Sequence, residues 1–334
     1  MEFITDARVA AGAIAAGHLA ALPTETVYGL GANADDANAI AQVYSAKGRP
    51  GDHPLIVHVI DAQAMESWVR DVPDYARRLA EQFWPGPLTL VLPRSQRARD
   101  FITGGQDSVA VRVPSHALAQ RVLAELAQLT DDPSIGIAAP SANRFGHVSP
   151  TTAQHVTDEL ANFLSINDVI LDGGPCAVGV ESTIVDCTGL LPIILRPGFV
   201  TQHDIEQCTG MSLDSGSSVR ASGTLDSHYS PAAHVILIND DESLLNADSG
   251  FIALSSIDTP LGLIRVAKPE TIEEYATVLY SALREADARS LKTVYVVPPT
   301  GAGLAAAIRD RLTRAAHELE SRHITSRHID ETQP

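Results

Sequence analysis

Three polar clusters interrupt apolar strands at places where packing alone would not put polar side chains. In PTETVYGLGANA (23–34), Thr24, Glu25, Thr26 and Tyr28 follow the apolar HLAAL, and Gly29 and Gly31 let the backbone approach a ligand closely. An ordinary polar turn would carry the same residues, and the pattern alone does not separate the two readings. In SAKGRPGDHPLIVHV (45–59), Lys47 and Arg49 stand at a helix end, where cations also settle for dipole reasons. Used chemically, they form a phosphate grip, the ammonium as a point charge and the guanidinium as a bidentate fork. His58, embedded in the next strand, reads on pattern alone as a satisfied core residue. In IAAPSANRFGHVSPT (137–151) an apolar strand ends at Pro140, and Ser141, Asn143, Arg144 and Ser149 crowd one loop, the usual place for binding groups in α/β proteins. GVESTIVD (179–186) sets Glu181, Ser182 and Thr183 at a strand start, and ILRPG (194–198) sets Arg196 at a strand end. Caps and turns explain either one as well as binding does. The sequence holds no Walker A motif, no GxSxG elbow and no HExxH. The residues alone lead as far as an anion-binding α/β protein.

The elements that must position these groups alternate. Strand-like runs lie at 54–59, 88–92, 108–113, 135–139, 168–172, 182–186 and 192–196, with helical patterns at 36–46, 73–83, 115–126 and 151–160. Strands outnumber helices and the connections are uneven, which predicts a mixed sheet with helices packed on it. The N-terminal residues predict an amphipathic helix with Thr5 as its cap and Gly17 as its end, because Glu2, Asp6 and the lack of a basic start do not suit a signal sequence. After Val200 the composition shifts, and residues 209–231 are rich in Ser and Gly, the mark of a linker or lid. Strand patterns at 234–238, 250–255 and 293–298 alternate with helices at 270–288 and 302–319, a small Rossmann-like α/β unit with a parallel sheet. In the last helix Leu304, Ile308, Leu312 and Ala316 share a core-facing stripe.

The 334 residues suggest two domains, and the hydrophobic content of 45% can fill both cores. No apolar run is long enough to cross a bilayer, so a cytoplasmic protein is expected. Cys176, Cys187 and Cys208 have no metal-binding spacing and suit a reduced compartment. A formal net charge of -17 speaks against a general nucleic-acid binder, which needs an excess of Lys and Arg.

In this order the clusters resemble the YrdC-like family, specifically its long two-domain threonylcarbamoyl-AMP synthases. The matching runs are PTETVYGLG, KGRPGDHPLIVHV, FWPGPLTLVLP, VAVRVP, APSAN, DGGPCAVGVESTIVD and ILRPG. The resemblance implies a twisted mixed sheet with a concave basic pocket at 1–205, a linker or lid at 206–231 and the small α/β unit at 232–334. It implies that L-threonine, bicarbonate and ATP give threonylcarbamoyl-adenylate and pyrophosphate, with Mg²⁺ carried on the ATP phosphates. A partner complex would then transfer the threonylcarbamoyl group to the adenosine beside a tRNA anticodon, so contact with tRNA is weak or indirect. Carried over residue by residue, Lys47, Arg49, Ser141 and Asn143 match the catalytic tetrad. Arg49, His53, Ser108, Ser141, Ser149, Arg196 and Tyr229 match nucleotide-holding positions, and Thr26, His58, Arg112, Ala139 and Ser182 match threonine-holding ones. The resemblance thus turns His58 towards the pocket. One departure stands out: RASGTLDSHYSP (220–231) has Asp226 and lacks the lysine that family linkers often carry before His-Tyr-x-Pro.

Competing readings are an RNA-binding YrdC-like module without ATP turnover, a carbamoyl-transfer enzyme of hydrogenase maturation, and a silent paralogue. The net charge opposes the first, and the lack of acylphosphatase and zinc-finger modules the second. The complete Lys47, Arg49, Ser141 and Asn143 set opposes the third. For the C-terminal unit the expectation is support of the lid.

Overall fold

Short polar side chains set the helix starts in the computed structural model, which describes residues 3–223, 229–239 and 246–316. Up to residue 209 the elements are β1 (Phe3–Ile4), α1 (Ala7–Ala15), β2 (Ala20–Leu22), β3 (Gly29–Asn33), α2 (Ala37–Lys47), β4 (Ile56–His58), α3 (Ala62–Met65), α4 (Asp74–Phe83) and β5 (Leu88–Pro93). They continue as α5 (Asp100–Thr103), β6 (Ser108–Arg112), α6 (Ala117–Thr130), β7 (Ile137–Ala138), α7 (Ala153–Leu160), β8 (Val169–Leu171), β9 (Thr183–Asp186), β10 (Ile193–Arg196) and α8 (Gln202–Thr209). The cap of α1 is Asp6 and not Thr5: its carboxylate accepts from Arg8 N at 2.9 Å, and Gly17 follows the helix end with φ 82°. Asp36 caps α2 in the same way, and Gly48 ends it in the left-handed region, which leaves Lys47 in the last turn. A capping box between Thr201 and Asp204 starts α8, so the boundary expected at 205 falls inside a helix.

Among the described residues these strands form one mixed ten-stranded sheet, ordered β1-β8-β2-β3-β7-β4-β6-β5-β9-β10. Strand β3 is GLGAN, whose glycines hide a strand from any propensity reading; it pairs antiparallel with both β2 and β7. Residues of β5 alternate between the two faces of the sheet. Leu88, Leu90 and Leu92 point into the main core with α2, α4 and α7, whereas Val91 joins Ile56, Ile184 and the linker residue Ala221. Helices α1 and α6 cover another part of the sheet through Ala10, Ile14, Val122 and Leu126. The other face of β4, β6, β5 and β9, with Ile56, Ala110, Val91 and Ile184, is thereby left to the linker residues Val219 and Ala221.

The remaining elements are β11 (His234–Leu237), β12 (Gly250–Ile252), β13 (Ile264–Ala267), α9 (Ile272–Ala288), β14 (Thr293–Val296) and α10 (Leu304–Ala316). Their strands pair in parallel in the order β11-β14-β12-β13. Of the expected stripe on α10, Ile308 and Leu312 are fully buried, and Leu304 and Ala316 pack at the edge of the same core. That core also takes in Val27, Val148, Val180 and Tyr229, so the two units share one apolar contact. No helix among the described residues is long and apolar enough to cross a membrane, and the three cysteines are free. Asp226 and His228 of the expected lid lie outside the described residues.

Helix α9 lies directly on the first unit at Gly179. A Cβ there would sit 2.4 Å from Thr277 Cα and 2.5 Å from Ala276 O, and φ is +79°. Beside it, Thr277 Oγ1 donates to Ala177 O at 3.1 Å. Gly179→Ala is therefore expected to push α9 off its seat and to cost about 1–3 kcal/mol, the usual range for overpacking. A lower urea-unfolding midpoint is the measurement, and an unchanged midpoint would contradict this docking.

Candidate functional site

The loop after β7 is the framework of the site. Leu30 N donates to Pro140 O at 2.8 Å and Ala142 N to Tyr28 O at 2.8 Å, which ties the loop to β3. Behind it, the Lys47 ammonium at the end of α2 donates to Ser141 O and Asn143 O, each at 2.5 Å. Arg144 NH1 donates to Ala46 O at 2.7 Å and so closes the same helix end. A small cavity of about 40 Å³ opens in front of this loop.

Thr26, His58, Arg112, Ala139 and Ser182, the five positions expected to hold threonine, all line this cavity, as do Ser141, Arg196 and Tyr229. Arg112 is fixed from three sides. NH1 donates to Thr26 Oγ1 at 2.9 Å, Nε to Gly86 O at 3.3 Å, and NH2 lies 2.7 Å from Glu25 Oε1. Burial alone would raise the Glu25 carboxyl, but Arg112 and the backbone donors hold it below its ordinary value. Thr89 and Ser182 share a hydrogen bond of 2.8 Å, and Arg196 donates from Nε and NH2 to Ser182 O at 3.1 and 2.9 Å. His58 keeps a buried Nδ1 that has no hydrogen-bond partner. Burial, with the Arg112 charge second, pushes its imidazole down to about 3, so it is neutral at physiological pH.

The other expected residues stand around this wall. Arg49 NH2 donates to Pro54 O at 2.9 Å and to Ser222 Oγ at 3.4 Å, and its Nε is buried without a partner. Its guanidinium lies 5.7 Å from the Phe145 ring, against which His53 packs edge-on at 5.3 Å. Ser108 faces a second, smaller cavity that shares Ile56 and Ser222 with the first. Asn143 Nδ2 donates to Arg144 O and His147 O at 2.7 and 2.8 Å, while its Oδ1 has no partner. Ser149 donates to Glu181 Oε1 at 2.6 Å. Lys47, Arg49, His53, Asn143 and Ser149 thus sit behind or beside the cavity wall and do not line it.

Four residues enter the site that the sequence reading left without a role. Ser222 of the linker accepts at its carbonyl from Arg196 NH1 at 2.8 Å, so the linker lies across two guanidinium groups. Glu181 lines the cavity, and its Oε2 accepts from Tyr280 and Arg311 of the C-terminal unit. Burial would raise this carboxyl too, yet Arg311, Arg196 and Ser149 hold it down at about 2. One signal for Arg311 was present: it stands seven residues after Leu304, on the apolar face of α10. Burial, and Arg49 next, pushes Lys47 well below the ordinary lysine value, and burial brings Arg49 down to about 10 and lowers Arg196. Lys47, Arg49, Arg112 and Arg196, buried in and behind the cavity wall, therefore favour an anionic guest. Among the described residues no group of three or more His, Cys, Asp or Glu could hold a metal ion.

Comparison with known proteins points to one family across nearly the whole chain. A family profile described as Telomere recombination matches residues 12–198, and one described as Threonylcarbamoyl-AMP synthase, C-terminal domain, matches residues 200–317. The Threonylcarbamoyl-AMP synthase of Pyrococcus abyssi is 38% identical over 327 residues, covering 92% of this chain and 93% of that protein. The one from Bacillus subtilis is 35% identical over 329 residues, covering 92% of each. The solved structure of P. abyssi Sua5 complexed with L-threonine superposes with a TM-score of 0.80 at 36% identity, covering 93% of this chain and 94% of that one.

The buried titrating groups give the site a pH signature. An unfolded chain takes up the His58 proton at about 6.5, the folded one only near 3, so acidification between these values favours unfolding. His155, pushed down to about 4 by burial and by Arg284, adds a smaller share in the same window. Glu181 adds a separate loss between 4.5 and about 2. Urea unfolding of His58→Gln is expected to fall less steeply than wild type from pH 6.5 to 5. Parallel curves would show that His58 is charged in the folded protein.

Proposed function

The chain belongs to the threonylcarbamoyl-AMP synthase family, and on that basis we propose that it joins L-threonine, bicarbonate and ATP into threonylcarbamoyl-adenylate with release of pyrophosphate. The single observation that carries this reading is the burial of Lys47, Arg49, Arg112 and Arg196 around one cavity whose threonine-side residues all face inwards. Such a site suits two anionic reactants held side by side. The activity is that of a nucleotidyltransferase, the first step of threonylcarbamoyladenosine modification of tRNA.

In this reading the threonine amine takes up bicarbonate carbon as a carbamate, with loss of water. A carbamate oxygen then attacks the α-phosphorus of ATP, and the bond to the β,γ-pyrophosphate breaks. Arg112 is held by Glu25 and Thr26, which leaves it set in place for the threonine carboxylate. Neutral His58 offers its unpartnered Nδ1 to a hydroxyl or amine without adding charge. Arg49 and Arg196 now hold Ser222, and a phosphate that displaced the linker would take both guanidinium groups. Lys47 fixes the Ser141–Asn143 backbone with two of its three N–H donors, and from behind the wall its charge favours the leaving pyrophosphate. Carbamates decompose in water, so a linker over the cavity protects the intermediate. No protein nucleophile is needed, because the chemistry depends on position and charge.

Mg²⁺ would arrive on the ATP phosphates, supplying further neutralisation of the pyrophosphate. Glu25 and Glu181 already face guanidinium groups and are not assigned to it. The adenylate would pass, in the cytoplasm, to a transfer complex acting on the adenosine beside the anticodon. Direct contact with tRNA is weak at a net charge of -17.

Pyrophosphate release from ATP by the full chain is expected to require both L-threonine and bicarbonate. Lys47→Ala and Arg49→Ala should each lower it about 10²–10³-fold, the cost of one charge-stabilising donor. Release that ignores threonine, from folded protein, would replace this reading with that of an RNA-binding module or a silent paralogue.

A further inference from the structure

Arg311 belongs to α10, more than a hundred residues beyond the cavity motifs, yet it is 1% exposed and its side chain reaches the cavity wall. Nε donates to Glu181 Oε2 at 2.9 Å, NH2 donates to Pro197 O at 2.9 Å, and the guanidinium lies 5.2 Å from the centre of the Tyr229 ring. Tyr280 of α9 donates its hydroxyl to the same Oε2 at 2.7 Å. Its ring stacks on Tyr229 with centroids 5.6 Å apart and planes 24° from parallel. Two side chains of the C-terminal unit therefore grip both a wall carboxylate and the linker tyrosine.

The backbone of Tyr229 makes that grip significant. Its φ is 63°, a left-handed conformation that costs a non-glycine residue energy and persists only where surroundings impose it. Gly223 lies against the Tyr229 hydroxyl, since a Cβ there would be 2.4 Å from it, so the described ends of the linker meet at this ring. Docking of the two units does not require the ion pair. Val27, Val148 and Val180 already supply apolar contact, and a buried pair is a poor source of net stability. What the pair adds is direction: it fixes where Glu181 and Tyr229 stand.

We propose that Arg311 and Tyr280 are positioning residues through which the C-terminal unit holds Glu181 and Tyr229 in place at the cavity. The ring of Tyr229 is then held over the ligand by the second unit and not by the linker alone. Glu181, kept ionised and turned towards Arg311, in turn holds the Ser149 hydroxyl. Only the activity arm of the test rests on the synthase reading.

Full-length Arg311→Gln, Arg311→Lys and Tyr280→Phe proteins would be compared with wild type by amide hydrogen exchange and by pyrophosphate release. The reporting amides are Arg220 N, bonded to Gln106 Oε1, and Ser230 N, bonded to Gly146 O, with β6 and β14 as internal references. In Arg311→Gln both reporters should exchange about tenfold faster while the references hold, the mark of local and not global opening. KM for ATP should rise more than kcat falls, and Arg311→Lys should recover part of both changes. Reporters that stay at the wild-type rate, or references that speed up by the same factor, would overturn the proposal. If Arg311→Gln does not fold, Tyr280→Phe decides, because it keeps the ring stack and loses only the bond to Glu181. A wild-type protein with no threonine-dependent release would end the synthase reading, while the exchange rates still decide the role of Arg311.

Discussion

The structure depends on keeping four cationic side chains buried around one cavity. Lys47, Arg49, Arg112 and Arg196 are each at most 7% exposed, and an unpaired buried charge costs several kcal/mol. Carboxylates meet part of that demand, Glu25 beside Arg112 and Glu181 near Arg196. Backbone carbonyls meet much of the rest: Ser141 and Asn143 for Lys47, Pro54 for Arg49, and Ser182 and Ser222 for Arg196. All but Ser222, which lies in the linker, belong to a loop at a strand end, so these loops take their shape from the cations they surround. An anionic reactant would enter a pocket whose dipoles are already oriented, the condition under which electrostatic stabilisation is strongest.

This constraint also explains the division of labour between the two units. The first unit supplies all four cations, Arg112 and Arg196 from strands and Lys47 and Arg49 from the end of α2, but it leaves Glu181 with a buried carboxylate to satisfy. The C-terminal unit satisfies it with Arg311 and Tyr280, and the same two side chains meet Tyr229. A small parallel sheet with two helices is thereby built into the site it borders. The apolar contact of Val27, Val148 and Val180 sets its distance, and the close seat at Gly179 its angle.

The linker has the opposite character. Its Ser222 and Gly223 lie against Arg49, Arg196 and Tyr229 through a few polar contacts, with Ala221 and the Tyr229 ring as its buried apolar anchors. Few buried apolar contacts and exchangeable hydrogen bonds are what a segment needs if it must leave and return at each turnover. The guanidinium groups that hold it are the ones proposed for phosphate, so nucleotide and linker compete for the same donors before they can pack together.

Much of this was legible in the sequence, and for a physical reason. A helix cap such as Asp36, the alternation of β5 and the stripe on α10 are local, and polar residues inside apolar runs mark a site because packing alone does not place them there. The residues expected to hold threonine were named through the family resemblance, since pattern alone read His58 as a core residue. Strand β3 was not legible, since GLGAN has no strand propensity and owes its form to pairing with β2 and β7. Nor could the sequence tell that Lys47 faces carbonyls and not the open cavity, or that Arg311 meets Glu181 across 130 positions. The order and type of the reactive groups were determined by local sequence, because each motif carries its own turn and charge. Which of them line the cavity, and which hold others in place, was decided only by the tertiary structure, because burial of a charge is settled by whatever distant backbone or side chain folds against it.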